Sequence, residues 1–254
     1  MKFETPMRRT AAVILVGYLT AFSGAHAADK KDKTKPPLPQ AVDSGSFGIF
    51  VKGQRVATES FRIEQQNGAS IIKSQFKEAS GAEGSTQKSE LDMTASGELL
   101  RYEWDQASSA SLSVAPSNDF LMEKMNAGGA GKPSEQSFLL PTTTAILDNN
   151  FFVHREVLVW RYLGAACKPE AGNLKCQQGP AQFGAFVPQE HIPISVRMEL
   201  IGKEKITVRG VSRDLVRLNL SGEDFNWALW VDDHDQFKLI RVAISADDTE
   251  VVRD

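Results

Sequence analysis

Residues 148–164, DNNFFVHREVLVWRYLG, read as the one convincing helix in a chain otherwise built of strand and turn signals. Asp148, Asn149 or Asn150 is expected to cap its start, since each side-chain oxygen can accept an orphan N–H of the first turn. Gly164 is expected to end it as a left-handed residue, with Arg161 near its negative pole. At 100° per residue, Phe151, Phe152, Leu158, Val159, Tyr162 and Leu163 share a broad stripe. Val153, Val157 and Trp160 cover much of the other side, leaving His154 and Arg161 a narrow polar edge. A helix apolar nearly all round is buried rather than laid on a surface. Glu156 to Tyr162, rich in Val and aromatics, also reads as a buried strand, and length favours the helix.

The residues before this stretch and the composition set the class. Lys2, Arg8 and Arg9 precede a short apolar run, AAVILVGYLTAF, and Ala25-His26-Ala27 then supplies small residues at the two positions a signal peptidase reads. Residues 1–27 are therefore expected to be an export signal cleaved before Ala28, leaving a periplasmic or secreted protein. No stretch reaches the roughly 20 apolar residues of a membrane span. Without residues 1–27 the chain keeps 26 basic and 31 acidic residues, a net charge near −5. Such a charge disfavours nucleic acid and anionic membrane surfaces as partners. Cys167 and Cys176 flank a short loop containing Pro169, Gly172 and Asn173, and in an oxidising compartment they are expected to form a disulfide.

Residues 28–45 begin ADKKDKTKPPLPQ, a Lys- and Pro-rich composition expected of a disordered tether. Order is expected from Ser46, as a single β-rich domain over residues 46–254. Lys52-Gly53 and Asn67-Gly68 separate three strand-like runs, and Asn-Gly is the strongest hairpin signal because both central residues of its turn need positive φ. Leu100, Tyr102 and Trp104 alternate with Leu99, Arg101 and Glu103, the period of a half-buried strand. Residues 126–134, NAGGAGKPS, form a loop without the Walker pattern. GPAQFGAFVPQEHIP reads as irregular, held by its prolines. Alternation resumes at Ile194, Val196, Met198 and Leu200 and persists to a last hairpin whose tip is Asp232 to Asp235. The expected fold is mainly β: a curved antiparallel sheet, a half-barrel of about ten strands, with one helix packed in its concave face.

The opening FGIFVKGQRVATESFRIE and the closing LWVDDHDQFKLIRVAIS resemble the exported proteins of the DUF3108 type. That family is similar to the lipoprotein-carrier fold of LolA and LppX, a curved sheet whose hollow is covered by helices. The resemblance implies an envelope protein with an apolar cavity and carries over no catalytic residue.

Signs of chemistry are few. No G-x-S-x-G, H-E-x-x-H or G-x-G-x-x-G pattern occurs. His154, His191 and His234 are far apart in sequence. His154 and Glu156 lie two residues apart on the helix and so do not face each other. Asp232-Asp233-His234-Asp235 could bind a cation, but a hairpin tip is polar for solubility alone. Phe151, Phe152, Trp160, Phe225, Trp227 and Trp230 could line a pocket for acyl chains; the plainer reading is core packing. The expectation is a non-enzymatic protein that needs no cofactor or metal and binds a lipid or other apolar ligand in the sheet's hollow. The alternative is an envelope interaction or scaffolding module with a fully packed core.

Overall fold

The computed structural model describes residues 39–81, 86–106, 109–128, 132–170 and 173–254. The expected export signal and residues 28–38 of the expected tether lie outside the described residues. Fifteen strands join one sheet as two meanders. The first runs outward through β1 (Gln40–Val51), β2 (Gln54–Gln66), β3 (Ala69–Glu78), β4 (Thr86–Thr94), β5 (Leu99–Gln106), β6 (Ala110–Ser117), β7 (Phe120–Asn126) and β8 (Ser134–Phe138). The chain then crosses to the opposite edge through β9 (Ala145–Ile146), helix α1 (Val153–Ala166) and a hairpin of β10 (Cys167–Glu170) and β11 (Asn173–Cys176). The second meander returns inward through β12 (Ala181–Val187), β13 (Ile192–Val208), β14 (Val211–Ser221), β15 (Asn226–Asp232), β16 (Lys238–Ile244) and β17 (Thr249–Arg253). There β17 pairs with β1, Ile49 standing opposite Val251, so the two wings meet in mid-sheet. All pairings in this sheet are antiparallel except the short contact of β9 with β12.

The turns follow local chemistry. Lys52 and Asn67 have φ of 49° and 53°, followed by Gly53 and Gly68 at 77° and 78°, so both hairpins carry the consecutive positive φ their sequences suggest. The strand count exceeds the expected ten. One reason is β12, in the stretch read as irregular: Ala185, Phe186 and Val187 are all buried, which erases the alternation that marks a strand. A second difference is the start of order, at Gln40 rather than Ser46. Its residues pair with β2, and Asp43 is buried against Arg253, an interaction that composition does not reveal.

The sheet curls around α1. On a flat sheet β5 and β13 would stand nine strands apart, about 43 Å. Yet Tyr102 of β5 donates to Asp148 just before the helix, and Tyr162 on the helix accepts from the N–H of Leu200 in β13 at 3.0 Å. A helix of 14 residues is only about 21 Å long. The backbone ladder stays open, but side chains draw its edges together: Phe138 of β8 meets Phe186 of β12 with ring centroids 4.7 Å apart. Phe151, Val153, Leu158, Val159 and Tyr162 lie in one continuous core with residues of both wings.

The helix boundaries differ from expectation. It begins at Val153, and Phe152 at its N-cap position makes no side-chain cap. Gly164 lies inside the helix, which ends where Cys167 turns extended and enters the β10–β11 hairpin. Cys167 and Cys176 are bonded and sit opposite each other in that hairpin.

Candidate functional site

Two places on this scaffold concentrate polar chemistry. The first is buried, around the start of α1. Alternation along β2 turns Ala57, Glu59, Phe61 and Ile63 toward the core, so one carboxylate stands in an apolar row. Glu59 accepts the N–H groups of Phe152 at 2.6 Å and Val153 at 3.3 Å, and the hydroxyl of Ser74 at 2.7 Å. It caps the helix from a strand 93 residues away. Burial pushes its pKa up to about 7 against these hydrogen bonds.

Asp148 does not cap the helix. It receives the Tyr102 hydroxyl, the Gln189 amide and the N–H of Asn150, while burial raises its pKa. Arg155, which is 1 % exposed, donates to the carbonyls of Asp148 and Phe151 and lies over the rings of Phe152 and Trp227. Burial lowers its pKa to about 10. His154 is buried rather than on an exposed edge. Its Nδ1 accepts from the N–H of Asp148 at 3.4 Å, its Nε2 is enclosed with no partner among the described residues, and burial, reinforced by Arg155, lowers its pKa to about 3.

One turn further, Glu156 accepts from the N–H of Leu239 and from Arg253, which also binds Asp43. Burial drives the Glu156 pKa well above the usual range. Asp43 is held below its ordinary value despite burial, by hydrogen bonds from Glu156 and Arg253. Arg253 thus bridges the two carboxyls, Nη1 to Glu156 and Nη2 to Asp43. Across the open edge, Glu123 of β7, fully buried, meets His191 Nδ1 at 2.9 Å.

The six aromatics do not form one site. Phe151 and Phe152 are buried in the core. Trp160 donates to the carbonyl of Phe237 at 3.1 Å, and the ring of Phe225 meets that of Trp227 at a tilt, centroids 4.9 Å apart. Trp230 faces the other side of the sheet, in a separate cluster with Val208, Leu215, Ile240 and Val252, flanked by Arg217 and Arg241. None of the six lines the cavity described next. At the last hairpin, Asp232 accepts from the N–H of His234, while Asp233 pairs with Lys203 and Asp235 with Lys238. Among the described residues no His, Cys, Asp and Glu group could hold a metal ion.

The second place is a cavity of about 950 Å³ against β2 to β7. Register identifies its side of the sheet. One wall is the row Ser60, Gln75, Lys88, Asp105, Ser111 and Asn126, each opposite the next on adjacent strands. The other is Arg62, Lys73, Glu90, Glu103, Ser113 and Lys124. Between them run Phe61, Ser74, Ser89, Trp104, Leu112 and Met125, whose alternating side chains turn to the core. The next inward-facing residues, such as Ile72, Leu91, Tyr102 and Val114, contribute nothing to the lining. The cavity is therefore a trough across the outer face of the first wing, not a chamber inside the curl. Sequence reasoning looked for aromatics in a hollow and missed this row. Only the register between strands assembles it.

Comparison with family models, with curated proteins and with solved structures gives no match.

Proposed function

We propose that this chain is a non-enzymatic interaction module of the cell envelope, with a packed core and its contact surface in the outer trough. The observation that carries this reading is where space lies: α1 and the crossing segment occupy the inside of the curl, while the 950 Å³ trough opens on the other face. An exported location is supported by the disulfide, which suits an oxidising compartment, by the features of residues 1–27, and by the resemblance of both ends to DUF3108-type proteins. The titratable groups most shifted by their surroundings, Glu59, His154 and Glu156, are enclosed in the core and do not line the trough, which supports a binding rather than a catalytic role.

A carrier holding a lipid between Phe151, Phe152, Trp160, Phe225, Trp227 and Trp230 is the less supported reading, because Trp230 faces away from the others and Phe151 and Phe152 are packed. Native mass spectrometry of protein purified gently from its envelope extract separates the two. The expected result is the bare chain less two hydrogens for the disulfide. A stoichiometric lipid adduct would overturn the packed-module reading and restore the carrier.

A further inference from the structure

We propose that the free edge of β8 takes up an extended segment of a partner protein as an added strand, polar beside Glu135 to Ser137 and apolar where it passes Leu139. This contact lies beyond the trough and does not depend on it. β8 stands last in the order of strands, and among the described residues it pairs with β7 alone. Register shows which of its backbone groups remain unused. Ser117 and Phe120 flank the two-residue turn Asn118-Asp119 and so exchange both of their backbone hydrogen bonds. Alternation from there turns the N–H and C=O groups of Leu121, Glu123 and Met125 toward Phe138, Gln136 and Ser134. Those of Glu135 and Ser137 therefore point away from β7. Both residues are exposed, and no backbone group elsewhere among the described residues bonds to them.

A strand edge that must stay unpaired is commonly blunted by a proline, a bulge or a free charge. β8 carries none of these. Its register with β7 is unbroken, and its one charged residue, Glu135, pairs with Lys124 at 3.4 Å. A row of unused main-chain donors and acceptors is matched by another extended chain. Side chains narrow the choice. Next along the two strands after the Leu121–Phe138 pair come Phe120 and Leu139, 42 % and 74 % exposed, an apolar foothold at one end of the edge. A second copy of β8 matches this poorly. Antiparallel self-pairing about Gln136 would lay the apolar end of one copy on the polar end of the other, with Leu139 beside Pro133. A different segment can set its own apolar residue at Leu139 and a basic one at Glu135. The five residues of β8 allow only a few ladder bonds, which suits a reversible contact.

The test is two-dimensional NMR of the folded, disulfide-bonded protein with the peptide acetyl-Leu-Ala-Thr-Ser-Lys-amide. Its order places Leu at Leu139 and Lys at Glu135 in an antiparallel ladder, and the reversed sequence serves the parallel one. The expected result with one of them is shifted, more slowly exchanging amides at Glu135 and Ser137. In the antiparallel peptide, N-methylation of Thr and Lys, whose N–H groups face β8, is expected to weaken binding about tenfold or more, whereas N-methylation of Ala and Ser leaves it intact. Ser137→Pro removes an outward N–H that the fold does not use and is expected to weaken binding as much, with the spectrum of α1 and β1 unchanged. If that variant perturbs folding, Leu139→Ser removes the apolar foothold instead. No change at Glu135 and Ser137 with either peptide overturns the proposal, as do shifts confined to other strands or equal losses from both methylation patterns. Sedimentation of the protein alone that shows a dimer, lost in Ser137→Pro, overturns the separate partner in favour of a second copy.

Discussion

Replacing Glu59 by alanine and by glutamine separates two consequences of one buried carboxylate. Alanine removes the acceptor for two N–H groups at the start of α1 and for the Ser74 hydroxyl. A lost cap costs about 0.5–2 kcal/mol and a stranded buried donor about 1–3 kcal/mol, so the combined loss is about 3–4 kcal/mol. Glutamine can retain most of this. Its carbonyl keeps the 2.6 Å bond from Phe152 and its amide donates to Ser74, whose hydroxyl still reaches the carbonyl of Ser60 at 3.2 Å, while the longer contact from Val153 at 3.3 Å is lost. The expected cost is about 1 kcal/mol at pH 5. The pH dependence then distinguishes the two residues. Folding raises the Glu59 pKa from 4.5 to about 7, so within that window the native state holds a proton the unfolded chain has released. This contribution is fully present below pH 4.5 and is lost as pH rises through 7. Between pH 5 and 8 it amounts to about 2.5 kcal/mol. Urea unfolding of the wild type, Glu59→Gln and Glu59→Ala at both pH values measures it. The glutamine variant is expected to lose that much less stability on going to pH 8 than the wild type. Parallel pH profiles for wild type and Glu59→Gln, or an alanine variant within 0.5 kcal/mol of wild type (the scatter of a neutral surface change) would refute the cap and its titration.

Three further outcomes are expected. Arg253→Leu removes the partner that Asp43 and Glu156 share, leaving Asp43 with Lys238 at 3.5 Å and Glu156 with the N–H of Leu239, and is expected to cost about 3 kcal/mol in urea unfolding. Joint replacement of Cys167 and Cys176 by serine opens a loop of sequence separation 9 and is expected to cost about 3 kcal/mol, with reductant producing the same loss in the wild type only. His191→Ala leaves Glu123 buried without its partner across the open edge, so hydrogen exchange is expected to quicken in β7 and β8 while α1 keeps its protection.

The helix and the antiparallel meander were legible because both rest on local periodicity. The helix ends were not. Asp148 and Asn150 are good capping residues, yet Asp148 is engaged by Tyr102 and Gln189, and Glu59 supplies the cap from a distant strand. A signal for this was present: Glu59 occupies an inward position between Ala57 and Phe61, as Glu123 does between Leu121 and Met125. An acid in the apolar register of a strand must meet a partner inside. The partner's identity is a tertiary fact. Arg155 and Glu156 were likewise hidden, because a helix wrapped by a sheet buries even its charged positions. The trough escaped notice for a different reason: its walls are unremarkable solvent-facing residues until inter-strand register sets them in line.

The pairing of β1 with β17 joins residues such as Phe47 and Arg253, more than 200 positions apart, in the middle of the sheet rather than at its rim. Each wing is a run of neighbouring hairpins that can zip up from local contacts, but their union must wait for β17, the latest of the described strands in chain order. That long loop closure is an entropic bottleneck placed at the centre of the structure. Until it is passed, both β1 and β16 expose hydrogen-bonding edges, flanked by apolar rows that any other extended chain could match. The nascent protein is thus most open to mispairing at the place that is best protected once it is finished.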